Sequence, residues 1–540
     1  MTGTGRSVMR HQFSQVPRAS IERSSFDRSH GLKTTFNAGD LVPIFVDEVL
    51  PGDTFSLNAT MFGRLATPLH PFMDNLFLDT FYFFVPNRLL WTNFVKFFGE
   101  QDNPSDSVSF LVPQITAPAG GYTEQSVYDY MGLPTKVVGL KHNALHLRAY
   151  NLIWNQWFRD QNLQTSVAVN KGDGPDAPTD YTLLKRGKRH DYFTSCLPWP
   201  QKGPAVSIPL GTKADIYGIG LLEGAATGLS GSIARGPTSA QDIAASSTGI
   251  ASPGTGIFFK STTSGVISNT NRPQFYADLS NATAATINSL RQSFQIQKIY
   301  ERDARGGTRY TELILAHFGV SSPDARLQRP EYLGGGSVPL NVNPIAQTSA
   351  TSISGGTTPQ GNLAAIGTVH TSQSGFTKSF TEHGVLLGLC SVRADLNYQQ
   401  GLNRMWSRQT RFDYYWPALA HIGEQAVLNQ EIYCDPTAAP NPNDLLTFGY
   451  QERYAEYRYK PSQICGRFRS NATQPLDTWH LAQNFTAYPF LNAAFIQENP
   501  PISRVIAVVT EPHMILDAYF SLRCARPMPV YSVPGFIDHF

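Results

Sequence analysis

The segment Leu516-Asp-Ala-Tyr-Phe-Ser-Leu-Arg-Cys-Ala525 alternates between apolar and mostly polar side chains along its whole length. Successive side chains of a β-strand point to opposite faces of the sheet, so this period of two predicts a strand with one buried face. A matching alternation runs through Phe55, Leu57, Ala59 and Met61 near the other end of the chain. Strands at both ends, with helices and long loops between them, indicate a mainly β fold of sandwich or jelly-roll type.

Five further segments carry strand patterns. The apolar run Leu41–Leu50 predicts a strand that follows the N-terminal region. Leu76–Val85 is so rich in phenylalanine that it predicts a strand covered on both faces, and the strongly apolar segment Gly384–Val392 predicts another strand. Tyr450–Tyr459 mixes tyrosines with charged residues and predicts a surface strand, and the β-branched residues of Ile502–Thr510 predict another strand.

Helical spacing is confined to a few segments. Leu89–Phe98 predicts a short amphipathic helix and His142–Asn162 a longer one. In the longer helix the buried face carries Leu145, Ala149, Leu152, Ile153 and Trp157, and the side expected to be exposed carries Arg148, Arg159 and Asp160.

The most charged part of the chain, Thr286–Gly336, predicts two helices and a loop that ends in three glycines. Apolar residues recur at helical spacing up to Arg305-Gly306-Gly307, where glycine favours a helix end. A second helix is predicted over Thr308–Phe318, before Gly319. We call Thr286–Gly336 the bracket and interpret it as a structural element that holds other parts of the chain in place.

Composition narrows the class of protein. The 540 residues include 44 Gly and 37 Pro but only 16% charged residues, a mixture that favours short strands and turns. The net charge of +2 predicts no overall attraction to nucleic acid, so any such binding must come from local clusters. Five scattered cysteines are typical of free thiols, and no signal-peptide core or membrane-spanning run is visible. These features predict a soluble protein made in a cytoplasm.

Two nearly uncharged tracts flank the bracket and suggest four regions. Gly224–Thr270 has three charged residues, and Gly334–Thr377 has no Asp, Glu, Lys or Arg. The first tract predicts disorder or a surface insertion, and the second predicts sheet edges or contacts between subunits. The predicted regions are a basic arm (1–40), a first β region with helical insertions (41–223), a variable insertion (224–285), and the bracket with the remaining strands (286–540).

Two basic clusters are candidate phosphate contacts. The arm, which has no helical or strand periodicity, carries Arg6, Arg10, Arg18, Arg23, Arg28 and Lys33. The second cluster consists of Lys185, Arg186, Lys188 and Arg189. A solvated tail explains the arm as well as phosphate contact does, and a solvated turn is the commoner explanation of a cluster such as 185–189, so the alternatives remain open.

No set of residues predicts catalysis, a cofactor or a metal site. Gly218–Gly224 has the spacing GxGxxxG, which departs from the dinucleotide-binding pattern and lacks a strand–helix context. His421 and Glu424 flank a glycine without a third ligand nearby, and Glu382-His383 is an isolated pair. Neither HExxH nor GxSxG occurs in the sequence.

Long motifs carry a resemblance to one family. They include Lys33-Thr-Thr-Phe-Asn-Ala-Gly-Asp-Leu-Val-Pro43, Glu301-Arg-Asp-Ala-Arg-Gly-Gly-Thr-Arg-Tyr310 and Asn403-Arg-Met-Trp-Ser-Arg-Gln-Thr-Arg411. Phe13–Pro17, Leu50–Phe55, Ser321–Gly336 and Pro527–Tyr531 extend the set. Together they resemble the major capsid protein of gokushoviruses, small single-stranded-DNA phages of the Microviridae. The resemblance covers nearly the whole chain and weakens across Gly224–Thr283.

The resemblance implies an eight-stranded jelly-roll β-barrel of viral capsid type, with long loop and helical insertions. It implies self-assembly, with trimer contacts at three-fold axes, into a T=1 shell that encloses circular single-stranded DNA. The implied partners are a small basic DNA-packaging protein, scaffolding and pilot proteins during assembly, and a bacterial surface receptor. The implied location is the virion, assembled in the host bacterial cytoplasm without membrane insertion.

The resemblance also suggests roles for individual residues. The two basic clusters would face the interior and contact DNA. Subunit contacts are predicted for Arg291, Arg302, Arg305, Arg309, Arg326 and Arg329. The variable insertion would form a host-facing protrusion that includes Arg235, Asp242, Phe258, Phe259 and Lys260. The alternative class is a jelly-roll carbohydrate-binding or polysaccharide-cleaving protein, because one fold can carry many functions.

Overall fold

The computed structural model describes residues 22–204, 206, 215–217, 276–278, 287–321, 323, 328–348, 360–437 and 441–531. The chain divides into two compact units, Met1–Lys202 with Glu301–Phe540, and Gly203–Tyr300. The strands are β1 (Ser24–Asp27), β2 (His30–Phe36), β3 (Val42–Val49), β4 (Thr54–Leu65), β5 (Leu76–Pro86), β6 (Gln114–Thr116), β7 (Lys141–Asn143), β8 (Asp215–Tyr217), β9 (Tyr276–Asp278), β10 (Glu331–Pro339), β11 (Asn341–Ala346), β12 (Leu363–Ser379), β13 (Gly384–Ala394), β14 (Asn397–Tyr398), β15 (Glu424–Leu428), β16 (Thr447–Glu452), β17 (Ser462–Gln463) and β18 (Met514–Arg526). The α-helices are α1 (Asn87–Leu90), α2 (Phe94–Phe97), α3 (Val127–Tyr130), α4 (Leu145–Ile153), α5 (Ile287–Gly306), α6 (Tyr310–Phe318), α7 (Asn429–Ile432), α8 (Ala455–Arg458) and α9 (Ala493–Ile496).

The first sheet confirms the strand predicted near the C-terminal end. Its strands follow the order β1-β18-β4-β12-β11, and β2 also pairs with β18. All of these pairings are antiparallel. Along β18 the side chains alternate strictly between buried and exposed as far as Cys524. The strands from the two ends of the chain therefore pair directly.

The second sheet, in the order β10-β5-β13-β3, is covered on both faces. Residues such as Tyr82 and Leu386 join the core that also contains the inward side chains of β4 and β18. Phe83 and Leu387, on the opposite face, pack in a second core with α4 and Trp91. The strand predicted for Gly384–Val392 is confirmed as β13, and the structure buries every one of its residues. The fold is mainly β, with two antiparallel sheets packed as a sandwich.

Several local predictions are wrong. Residues 24–36 form β1 and β2, although the arm showed no strand periodicity, because they are edge strands with one mostly polar face. Tyr450–Tyr459 is not one strand: β16 ends at Glu452, Tyr454 takes φ +63°, and α8 follows. Ile502–Thr510 forms a short 3-10 helix and turns instead of a strand. Leu89–Phe98 is divided between α1 and α2.

The helix predicted over His142–Asn162 is shorter than predicted, and the predicted exposure of one of its charged residues is wrong. Helix α4 covers nine residues and continues as a π-helical turn, Trp154–Phe158. Arg148, predicted to be exposed, is fully buried and bonded to Asp176. The three glycines of 334–336 lie within β10, where a Cβ on Gly335 would stand 2.0 Å from the Thr80 carbonyl oxygen.

The bracket confirms both predicted helices, α5 and α6. Gly319 follows α6 with φ +69°, the left-handed conformation that glycine adopts without a Cβ penalty. At the other end the Glu312 carboxylate accepts the backbone N–H of Arg309 at 3.0 Å, which caps the first turn.

Candidate functional site

The basic segment 185–189 lies extended between two other parts of the chain. The Arg186 amide donates to the Gly39 carbonyl at 2.9 Å, and the Arg186 carbonyl accepts from the Glu498 amide at 2.7 Å. The Lys188 amide donates to the Ile496 carbonyl at 2.7 Å. The segment therefore links the start of the β-sandwich to residues 496–498, which precede the C-terminal strand. We call residues 185–189 the strap.

The Arg186 side chain points into the protein and bonds to the Asp79 carboxylate. Arg393 donates to the same carboxylate from Nε at 2.8 Å. Burial raises the pKa of Asp79, but hydrogen bonds from Ser337 and Arg186 and the charges of both arginines outweigh it and hold the pKa below its ordinary value. A buried carboxylate between two guanidinium groups is a structural ion-pair network.

Lys188 is directed inward as well. Its Nζ lies 4.6 Å from the centre of the Phe495 ring. Burial lowers the pKa of Lys188, and the charges of Glu498 and Asp191 oppose that shift. Burial raises the pKa of Glu498, whose Oε1 accepts the Ala394 amide at 3.2 Å. Lys188 and Glu498 therefore both have contacts inside the fold.

Lys185 and Arg189 are the more accessible members of the strap. Lys185 Nζ donates to the Asn499 side chain at 3.1 Å and lies 3.6 Å from Asp40. The Arg189 side chain is exposed. Contact with DNA remains a prediction for all four basic residues, but Arg186 and Lys188 have structural partners that only folding reveals.

A cleft of about 810 Å³ joins this strap to the bracket. The sequence predicted DNA contact for one set of basic residues and subunit contact for another, and members of both sets line this one cleft. The basic lining residues are Arg159, Arg186, Lys188, Arg189, Arg305 and Arg309. The aromatic lining residues are Phe81, Phe83, Trp157, Phe158 and Tyr332.

Much of the positive charge in the cleft has a carboxylate partner. Arg305 bonds to Glu424 and lies 3.7 Å from Glu452. Arg309 pairs with Glu312 at 2.9 Å and also donates to the Arg159 carbonyl at 2.6 Å. Burial and the nearby charge of Arg309 lower the pKa of Arg159. The cleft is therefore polar and aromatic, with a smaller positive surplus than its sequence suggests.

The described part of the arm is bound to the sandwich. Arg23 donates to the Gly52 carbonyl at 2.7 Å, Arg28 pairs with Asp47 at 2.5 Å, and Lys33 pairs with Asp517 at 3.2 Å. The remaining arm candidates, Arg6, Arg10 and Arg18, lie outside the described residues.

The other predicted residues are distributed along the bracket and the insertion. Arg291 and Arg302 are exposed on α5, and Arg329 stacks over the Trp157 ring at 4.3 Å. Those outside the described residues are Arg326 and the protrusion candidates Arg235, Asp242, Phe258, Phe259 and Lys260.

The residues between Arg404 and Gly423, of which Asn403–Arg411 belongs to a family motif, form an exposed surface for which the sequence predicted no role. It exposes Trp406, Phe412, Tyr414, Tyr415 and Trp416. Five large rings within eleven residues are a signal of an interaction surface that the sequence could have provided. Within the described ranges, no three His, Cys, Asp or Glu side chains are grouped to hold a metal, and every helix there is too short or too polar to cross a membrane.

Comparison with known proteins identifies the family. The family model "Capsid protein (F protein)" matches residues 14–536. The chain belongs to this family of capsid proteins. It is 50% identical to capsid protein VP1 of Bdellovibrio phage phiMH2K, 47% to that of Chlamydia phage 1, and 37% to that of Spiroplasma virus 4. Each match covers at least 97% of both chains.

The matches confirm the gokushovirus resemblance and the structural function that it implied. Capsid proteins assemble into a shell and are components of the virion. The carbohydrate-binding alternative receives no support from the names of these relatives.

Proposed function

We propose that this capsid protein builds a T=1 icosahedral shell around a circular single-stranded DNA genome. The observation that carries the proposal is the match to phage capsid proteins over nearly the full chain. The two-sheet sandwich supports it: β3, β4, β5, β10, β11, β12, β13 and β18 would be the eight jelly-roll strands. Strands β1 and β2 would be additions at the β18 edge.

The test is the mass of the assembled particle. Sixty copies of the 59.6 kDa chain give a shell of about 3.6 MDa. Mass photometry of the chain, alone and with scaffolding and pilot proteins, should show that particle, and electron microscopy should show icosahedral symmetry. A species that remains monomeric in every assembly mixture would refute the proposal and would favour the carbohydrate-binding alternative.

Genome contact is proposed for the accessible cations of the strap and for the arm. Arg189, whose exposed side chain lines the cleft, would neutralise phosphates without reading sequence, alongside Arg6, Arg10 and Arg18 and a small basic packaging protein. Lys185 would add less, because Asp40 already lies 3.6 Å from its ammonium group. The exposed aromatic ring of Tyr332 in the same cleft suits a single strand, because bases stack on aromatic side chains.

The experiment separates genome contact from folding. Particles of Arg189→Ala should contain less DNA than wild type, measured by the ratio of absorbance at 260 and 280 nm, with an unchanged unfolding temperature. Arg186→Ala is the matched control and should lower the unfolding temperature because it leaves Asp79 with one fewer partner. Wild-type DNA content in the Arg189→Ala particles would contradict genome contact at this site.

Host attachment is proposed for the insertion at residues 224–285, including Gly224–Thr270. Its low charge and its departure from the family motifs support a variable, outward-facing segment. Deletion of residues 224–270 should leave particle assembly intact and reduce adsorption to a bacterial surface receptor. Failed assembly with intact adsorption of the remaining particles would reverse the assignment. Assembly is proposed to take place in the bacterial cytoplasm.

A further inference from the structure

A group of aromatic side chains projects from the surface between Arg404 and Tyr459. We define the aromatic plate as Trp406, Phe412, Tyr414, Tyr415, Trp416 and Tyr457. Each of these residues is between 47% and 71% exposed. Large aromatic residues are normally buried for most of their surface, so such a concentration requires a reason.

The Arg408 guanidinium packs against two rings of the plate. It lies 4.2 Å from the centre of the Tyr457 ring and 5.5 Å from that of Tyr414. It also pairs with Glu456 at 3.2 Å, and both charged side chains are almost fully buried. A buried ion pair under two rings fixes their positions.

Further contacts restrict the other rings. Trp416 Nε1 donates to the Arg411 carbonyl at 2.7 Å. The Asp413 carboxylate accepts the Thr410 amide at 2.7 Å, which fixes the turn that carries Phe412. Tyr415 packs edge-on against Tyr454 at 5.2 Å. The plate is therefore organised before any partner arrives, which lowers the entropy cost of binding.

The exposed area is large enough for an interface. At roughly 200 Å² for a whole aromatic side chain, the six rings leave more than about 500 Å² of mainly apolar surface exposed. The largest apolar patch on an ordinary monomer is about 300–600 Å², and a standard interface buries about 800 Å² on each partner. Tyr, Trp and Arg, which dominate this surface, are the residues most enriched at the energetic centres of interfaces.

The charges around the plate favour a protein partner over nucleic acid. Arg408 is neutralised by Glu456, Arg404 pairs with Glu431 at 3.0 Å, and Arg458 pairs with Glu452 at 2.5 Å. A single-strand binding surface combines aromatic rings with unpaired positive charge, whereas these cations are already paired. The exposed Arg411 lies over the Phe412 ring at 4.6 Å. The plate is therefore mainly apolar with most of its neighbouring charge compensated, which suits a protein surface of similar character.

We infer that the aromatic plate binds a second copy of this chain in the assembled shell. The inference rests on the capsid function, since a shell subunit must bury several surfaces against its neighbours. In the wild-type protein, radical footprinting should show oxidation of Trp406 and Tyr415 in the free subunit. Both residues should be protected at least tenfold in the particle.

The decisive variants are Trp406→Glu and Tyr415→Glu, with Leu111→Glu as the control. Leu111 is 86% exposed and lies in a different part of the chain. The plate variants should retain the circular dichroism spectrum and unfolding temperature of wild type but yield at least tenfold fewer particles. Leu111→Glu should assemble normally. Binding of the unassembled chain to an oligothymidylate should be the same in all four proteins.

The outcomes are distinguishable. Wild-type particle yield from both plate variants, or full oxidation of Trp406 in wild-type particles, would overturn the inference while leaving the shell proposal intact. Normal assembly with weakened oligothymidylate binding would assign the plate to DNA instead. Absence of particles from the wild-type chain would refute the proposed shell and the plate contact together.

Discussion

Substitution of Arg148 tests how α4 is held against the second sheet. The side chains of Arg148 and Asp176 are both fully buried, and they form two hydrogen bonds at 2.6 and 2.7 Å. Arg148 Nη1 also donates to the carbonyls of Leu90 and Gly172 at 3.0 and 2.9 Å. One side chain thus links α4, α1 and the loop that carries Asp176.

Replacing Arg148 with methionine keeps an apolar stem of similar length and removes every one of these bonds. Asp176 would retain the Tyr181 hydroxyl at 2.6 Å as a donor but would lose the charge that compensates it. Breaking a buried ion pair by removing one partner costs about 3–5 kcal/mol. At about 1.4 kcal/mol per factor of ten, amide exchange in α4 should accelerate by about 10²- to 10⁴-fold.

Hydrogen–deuterium exchange of peptides from α4, read by mass spectrometry on the full chain, measures this effect. Lys33→Met is the control, because Lys33 and Asp517 form a largely exposed pair of the kind that contributes about 0–1 kcal/mol. The double variant Arg148→Met/Asp176→Leu should recover much of the protection, since no unpaired charge remains. An Arg148→Met protein with wild-type circular dichroism and α4 exchange within tenfold of wild type would refute the reasoning.

Three other outcomes follow from local contacts. Gly375→Ala should lower stability by about 1–3 kcal/mol in thermal unfolding, because its Cβ would lie 2.0 Å from a backbone oxygen of β4; Gly120→Ala, with open space around it, should be near neutral. Burial and the charge of Arg504 lower the pKa of His480, so stability present above pH 6.5 should fall as the pH decreases through 6.5 towards the folded pKa. His480→Gln should flatten that decrease between pH 7.5 and 5.5, and an unchanged slope would exclude His480 as its source. The exposed Cys465 thiol should react quickly with a disulfide reagent, while burial, which raises the pKa of the three buried cysteines, should keep them unreactive until unfolding.

The parts of the fold that the sequence predicts correctly are those specified by local pattern. The strict alternation of β18 identifies its buried face, and the strongly apolar run of β13 identifies a strand. The glycines at 306 and 319 mark the ends of α5 and α6. In each case the signal lies within about twenty residues of chain, as hydrophobic periodicity requires.

The errors arise where distant residues decide the outcome. Arg148 is buried because Asp176, 28 residues away, folds back onto it, and no periodicity in α4 contains that information. Likewise Arg186 meets Asp79 across 107 residues of chain. Sequence spacing could group the strap and the bracket as basic segments, but only the packing of β-strands between them brings Arg189 and Arg305 to one cleft.

This internal pairing changes where the positive charge for a packaged genome must come from. The net charge of the chain is only +2, and several prominent cations are bonded to carboxylates within the fold: Arg28, Arg186, Arg305 and Arg309. A cation already compensated by a carboxylate releases few counterions when a phosphate approaches, so it adds little to DNA affinity. Different residues then stabilise the folded subunit and neutralise the DNA, so single substitutions should affect either stability or DNA content. Loss of stability and of DNA together in both the Arg186→Ala and the Arg189→Ala proteins would contradict that separation.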